Sequence, residues 1–339
     1  MRKQNWALSG CVILTLVMGC SGPTKAAPPV VKQIGPPKVP PAVPARKDEP
    51  LNTTLRESAK NRIKEAFSSN DPHLRGNSVE AAQNVFGADS HDIVAAAIKD
   101  KAAFVRFSGV MAAGRMKFHD LHDDVLALAE DADPRVRIAV RYALHRMGDV
   151  HLSHDLEKIA EDPNPRVRED VAFVLGQLGE KSGIKILQYM TTDSDAGVRI
   201  QVADSMWRLG DQRGLDVLVA GTVSQFADDR MLCLMGLAGP KDRRVEEHLR
   251  GQLTDEYPEV ALVAARAMGD IGLDDGYGVC LKYINSTDPR QRQLAATALG
   301  SIGRSDAQTI LAPLLNDPDQ RVRLAAATAI LQLKAPGGR

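Results

Sequence analysis

Residues 133–149 read DPRVRIAVRYALHRMGD. Asp133 suits a helix N-cap, Pro134 the first turn, and Gly148 a left-handed stop. The same phrase returns as DPNPRVREDVAFVLGQLGE (162–180), DSDAGVRIQVADSMWRLGD (193–211) and DPRQRQLAATALGSIGRSD (288–306). With the arginine of the Val-Arg pair as position zero, Arg75, Arg106, Arg137, Arg168, Arg199, Arg230, Arg292 and Arg323 fall on one 31-residue lattice. The remaining lattice point holds Ala261. Nine points without insertion or deletion predict an all-α superhelical solenoid of about nine two-helix units.

Working outward, each unit carries two apolar stripes. The first helix shows them at +15, +19, +22 and +23, as in Leu121, Val125, Leu128 and Ala129. The second shows them at −1, +3, +7 and +10, as in Val136, Val140, Leu144 and Met147. That spacing puts them on one helix face. Position +6 is small in nearly every unit (Ala81, Ala112, Ala143, Ser205, Gly236, Ala267, Ala298, Ala329), which predicts close helix–helix approach. Unit five departs from the phrase: it lacks the proline start, and Pro240 predicts an early helix end with a local change of curvature.

Over residues 51–333 the Asp-Pro start, the Val-Arg pair, the alanine-rich second helix and the closing glycine resemble HEAT repeats, in particular the HEAT-like repeats of phycocyanobilin lyases. The resemblance implies a fold and is nearly silent on function, because such repeats serve scaffolds, lyases and hydroxylases alike. It also implies that the lattice arginines pair with the aspartate or asparagine four residues earlier (Asp71, Asp133, Asn164, Asp195, Asp288, Asp319) in an inter-repeat ladder.

The chain starts differently. Arg2 and Lys3 precede a mostly apolar run, Trp6 to Met18, too short to span a bilayer comfortably. Val17-Met18-Gly19-Cys20 resembles the lipobox of bacterial lipoproteins, which implies cleavage of a signal peptide, residues 1–19, and lipidation of Cys20. Leu8-Ser9-Gly10-Cys11 matches the lipobox letters more closely but would leave too short an apolar region before the cut. By the same analogy Ser21, not being aspartate, points to the outer membrane, with the protein facing the periplasm. Residues 21–50 hold nine prolines and no apolar periodicity, so residues 20–50 are expected to form a disordered, solvated tether. The expected organisation is completed by a solenoid over 51–334 and a tail over 335–339.

Residues 51–339 carry 36 basic and 41 acidic side chains, a mildly acidic body without the footprint of a nucleic-acid binder. Cys233 and Cys280 fall at core positions about two units apart, too far for a disulfide and without zinc spacing. There is no nucleophile–base motif and no phosphate loop, so neither catalysis nor a cofactor is expected. His91-Asp92 and His122-Asp123 occupy equal lattice positions in adjacent units and form the one candidate metal site. They carry the alternative of a hydroxylase-like HEAT enzyme; a lyase-like chromophore binder is a further alternative for which no catalytic residues are found.

Positions +1, +5 and +8 of the second helices point away from the buried stripe, toward the concave wall. In units two to six this wall carries Phe107, Met111, Ile138, Tyr142, Phe173, Ile200, Trp207, Met231 and Met235. Gly76, Glu80 and Gln83 in the first unit, and Gln293, Thr297 and Gly300 in the eighth, are polar or small. Arg115, Arg146 and Arg208 at +9 would line one rim. An exposed apolar strip predicts a groove for a protein or extended peptide, hence a monomeric, membrane-anchored scaffold.

Overall fold

The computed structural model describes residues 39–149, 156–240 and 242–335. Residues 1–38, with Cys11 and Cys20, and residues 336–339 lie outside the described residues, so the lipidation and signal-peptide expectations are untouched by it. Among the described residues there is no strand, and no helix is long and apolar enough to cross a membrane.

Among the described residues nine helix pairs follow the lattice, with odd numbers for the first helix of a pair and even numbers for the second. They are α1 Thr53–Phe67 and α2 Pro72–Phe86, α3 His91–Ile98 and α4 Ala103–Met116, α5 His122–Leu126 and α6 Pro134–Met147. Then come α7 Leu156–Ile159 and α8 Pro165–Leu178, α9 Ile184–Met190 and α10 Ala196–Arg208, α11 Gln212–Gly221 and α12 Ala227–Ala238. The last three pairs are α13 Glu246–Gly251 and α14 Pro258–Asp270, α15 Tyr277–Tyr283 and α16 Pro289–Ile302, α17 Ala307–Leu311 and α18 Gln320–Gln332.

The start and stop signals act as read. The side chains of Asp71, Asp133, Asn164, Asp195, Asp288 and Asp319 each accept a backbone N–H of the first turn. Gly148 and Gly303 stop α6 and α16 with positive φ. Ahead of Pro240, α12 ends at Ala238, two lattice positions earlier than α6. The glycine that follows, Gly239, leaves room for the Arg208 guanidinium, which a Cβ there would strike.

Each even helix packs against the even helices before and after it, and the odd helices line the outside. The small +6 residues lie at these even–even contacts. A Cβ on Gly114 of α4 would sit 2.5 Å from the Ala143 Cα, and one on Gly300 of α16 would sit 2.8 Å from the Ala329 Cα. Successive inner helices therefore approach almost backbone to backbone.

The solenoid closes on itself. Helix α18 packs against both α1 and α2, as α10 packs against α11 and α12 within the array. Ala59, Ile63 and Ala82 share one apolar core with Val322, Ala326 and Ile330. Arg56 donates to the Ile330 and Leu331 carbonyls (3.0 and 3.2 Å), which stand at the C-terminal end of α18 and have no intrahelical donor. Arg62 reaches Asn316 at 2.6 Å. Nine similar joints turning about 40° each bring the last unit round to the first, so the array is a ring.

The lattice arginines form a ladder, but their partners differ from those expected. Arg75, Arg106, Arg168, Arg230 and Arg292 each present Nε and Nη2 to both oxygens of the aspartate 25 residues on: Asp100, Asp131, Asp193, Asp255 and Asp317. Every one of these ten bonds measures 2.7–3.0 Å. Where a capping side chain stands four residues before the arginine, as Asp71, Asn164 and Asp288 do, it is turned back into its own helix, and before Arg106 and Arg230 that position holds Ala102 and Phe226. The Nη1 of each lattice arginine binds carbonyls of its own loop, as Arg106 does with Asp100 and Lys101 at 3.0 Å. One guanidinium thus ties its own loop to that of the next unit.

The Arg106 hydrogen bond holds the Asp131 carboxyl below the usual carboxylate range, and Arg168 and Arg292 do the same for Asp193 and Asp317. Between the unfolded value near ~3.9 and the lowered folded value, the folded state binds fewer protons than the unfolded chain. The ladder's contribution is therefore complete above that unfolded value and is lost as pH falls through the folded one. Arg106→Met should lower the urea midpoint at pH 7 and lessen the drop in stability on acidification to pH 3. An unchanged acid limb would show that the rung is not linked to stability.

Residues 39–50 are not a free spacer. Proline-rich backbone offers carbonyls and few N–H groups, and the last units supply the complement. Arg304 donates to the Pro44 and Ala45 carbonyls (3.0 and 3.1 Å), and Gln308 Nε2 donates to Pro50 (2.8 Å). The Lys47 and Glu49 N–H groups bind Asp306 and Ser305 (3.1 and 3.2 Å). Beyond them the strap backbone lies on Gly278, whose Cβ would be 2.5 Å from the Pro41 oxygen. The expected tether is thereby shortened at its C-terminal end.

Candidate binding surface on the inner wall

The apolar strip read from the sequence is not an open groove. Phe107, Met111, Ile138, Tyr142, Phe173, Trp207, Met231 and Met235 are all buried, and Ile200 is half-buried. A helical wheel treats each helix alone, whereas in the ring the next unit folds over these positions. Arg135, two residues before its lattice point, lies 5.4 Å over the Phe107 ring while ion-paired to Asp170 in the unit beyond. Phe104 covers Gly76 in the same manner. The Tyr142 ring packs on Gly114, and Arg244 stacks on Trp207 at 5.5 Å. These nine side chains fill the wall of units two to six and belong to its core.

The rim arginines are engaged within the ring as well. Arg115 donates to Gln83 at 3.3 Å, and Arg208 holds both oxygens of Asp204 at 2.9 Å. Arg146 is half-buried, and its Nε has no hydrogen-bond partner among the described residues.

The metal hypothesis finds no geometry. Among the described residues no three His, Cys, Asp or Glu side chains come together as a metal cluster. His91 bonds to Asp120 of the next unit at 2.6 Å, not to His122 or Asp123, and His122 bonds to its neighbour Asp123 at 3.1 Å. Asp92 lies exposed beside His91. The Asp120 contact pushes His91 up from its ordinary value, as a surface ion pair does. Cys233 and Cys280 are free and buried, and burial pushes the Cys233 thiol up to about 12, away from reactivity.

The wall is open on the other side of the ring. A cavity of about 460 Å³ is lined by α14, α16, α18 and α2, so it spans the joint where the ring closes. Its walls come from the positions that are small or polar in these units: Asn77, Asn84, Gln293, Gln332, Thr297 and Thr328 around Gly269 and Gly300. Primary amides both donate and accept, which suits them to peptide groups. Arg266 projects from the +5 position, about nine-tenths buried, with Asp270 3.7 Å from its Nε and no hydrogen bond to that nitrogen. The hydroxyls of Thr297 and Thr328 donate to carbonyls one turn back, at 2.9 and 2.8 Å, so neither is held by a base. The sequence signal for this region was present in the polar letters of units one and eight. Arg266 was missed because only the apolar departures were followed.

Fold and wall together define a helical-repeat protein of the α-solenoid class. The HEAT repeats family matches residues 152–238 and 278–337, and the chain carries HEAT repeats there. No curated protein sequence matches the chain. Among solved structures, the complex of CpcE and CpcF of phycocyanin lyase from Nostoc sp. PCC7120 is similar at 17% identity, with a TM-score of 0.43, over 74% of this chain and 97% of that one. Human deoxyhypusine hydroxylase is similar at 15% identity, with a TM-score of 0.37, over 82% and 96%. Kap121p bound to Pho4p is similar at 13% identity, with a TM-score of 0.36, over 80% of this chain and 37% of that one.

Proposed function

We propose that the protein is a membrane-anchored, non-catalytic scaffold whose ring receives an extended segment of a partner protein along the polar half of its inner wall. The observation that carries this reading is the cavity of about 460 Å³ lined by amide and hydroxyl side chains from four successive inner helices. Their polar groups repeat along each helix, which matches the repeating amides of an extended chain better than a compact ligand. A lipid on Cys20 holds the ring at the outer membrane, facing the periplasm. Residues 41–45 lie over α15 and the loop before α17, so the described chain begins on that face of the ring.

Photocrosslinking in cells from a reactive residue at position 297 should trap a protein partner, whereas the buried position 207 should trap none. Cys20→Ala should release the protein from membranes and weaken the trapped band. Absence of any adduct at position 297, with adducts from an outer-helix control, would remove the inner wall as the binding surface.

A further inference from the structure

Among the described residues three lattice arginines, Arg137, Arg199 and Arg323, make no bond to the next unit, and Arg323 stands at the closing joint. Counting 25 residues on from Arg323, round the ring, arrives at Ser69 where six other joints place an aspartate, five of them bonded to their arginine. Arg323 is oriented like the others: its Nη1 binds the Asp317 and Pro318 carbonyls at 2.6 and 3.1 Å. Those bonds fix the plane of the guanidinium and leave its Nε and Nη2 edge aimed at the next unit. Among the described residues nothing bonds to that edge. Ser69 is too short to reach it, and its Oγ instead lies 3.3 Å from Gln320 and accepts the Asp71 N–H. Beside that edge lies a cavity of about 470 Å³, lined by Arg62, Ser69, Asn70, Gln320 and Arg323 and by the acids Asp71 and Glu65, the latter paired with Arg62 at 2.7 Å.

Elsewhere the chain treats an unfilled rung differently. At Ala261 both members are absent, the facing residue being Ser286. Arg199 faces Ser224, but that arginine is exposed, and Arg137, half-buried, has Asp162 of the next unit at its rung position. Arg323 is half-buried.

We infer that the Arg323 edge at the seam is a binding site for an external carboxylate, which completes the ladder across the closing joint. The recognition is the bidentate, planar match that the five internal rungs display. The carboxylate can be carried by a small acid or by an acidic side chain of a protein, and the chemistry recognised is the same. Bound there, it would tie α18 to the loop before α2, so binding and ring closure support each other.

The test uses the full chain and the ¹⁵N–¹H resonance of the Arg323 Nε group. Titration with sodium succinate, and separately with a blocked Ala-Asp-Ala peptide, should move that resonance saturably toward the positions of Arg106 and Arg292. Sodium chloride at equal ionic strength should not. Ser69→Asp supplies the carboxylate internally, so its Arg323 resonance should start at the ladder position, respond to neither ligand, and accompany a raised thermal midpoint. A stronger response to the peptide assigns the natural source to a protein side chain; a stronger response to succinate assigns it to a small dicarboxylate. No saturable shift with either, or an equal shift with chloride, overturns the site. This readout does not involve the polar cavity between α14 and α2, so its failure and that of the partner-binding reading are separable.

Discussion

Arg304→Ala should lower the stability of the ring by about 3–5 kcal/mol, as removal of one member of a buried ion pair commonly does. Arg304 is almost wholly buried; its guanidinium lies 4.0 Å from the Tyr277 ring centre and 2.7 Å from Asp306. Truncation leaves Asp306, itself 9% exposed, without its counter-charge. It also strips the Pro44 and Ala45 carbonyls of their donors. The loss should be visible as a lower urea midpoint together with new protease cleavage within residues 39–50. Arg304→Lys should restore only part of it, since an ammonium cannot span the carboxylate and two carbonyls in one plane. A variant with an unaltered midpoint and a protected strap would show that the segment only rests on the ring.

Trp207→Ala should cost a comparable ~3–5 kcal/mol, the range for deleting a buried large aromatic side chain. From the sequence alone the same substitution would be expected to spare the fold and abolish partner capture, because Trp207 reads as an exposed anchor. Its 5% exposure and the Arg244 guanidinium over its ring reverse that expectation. Tyr142→Ala, opening a hole above Gly114, should behave alike. Calorimetry of both variants decides the matter: a melting temperature within a degree of the parent would return these residues to the binding surface.

The contrast shows where the sequence is legible. Helix starts and stops are local, and Asp133, Pro134 and Gly148 specify theirs within one turn; the ends of α6 follow from them. Stacking register is nearly local, because an invariant 31-residue step leaves one way to align neighbours. The ladder partner was legible only as a type. Acids recur both four and six residues before each lattice arginine in several units, and letters alone do not say that the nearer one is spent on capping. Ring closure depends on a small rotation per joint accumulated nine times, which no residue encodes by itself. The inner wall failed for the same reason: Phe107 is exposed on an isolated α4 and covered once Arg135 of the next unit swings over it. Gly114, Gly176 and Gly300, all at +8, were the overlooked sign of a wall that is packed against, not vacant.

An open repeat array has two vulnerable ends, and its terminal units must present polar outer faces or fray. A closed one obeys periodic boundary conditions. Every pair in this chain has two neighbours, so there is no terminal repeat from which unzipping can start, and unfolding must first break two interfaces at once. The consequence extends to how such a sequence can change over time. An open array gains or loses whole repeats by unequal recombination with little penalty, but deletion of one 31-residue unit here would leave eight joints set for a nine-fold circle. The copy number of the repeat is therefore under a constraint that its individual letters are not, and a viable eight- or ten-unit descendant would have to retune every joint together.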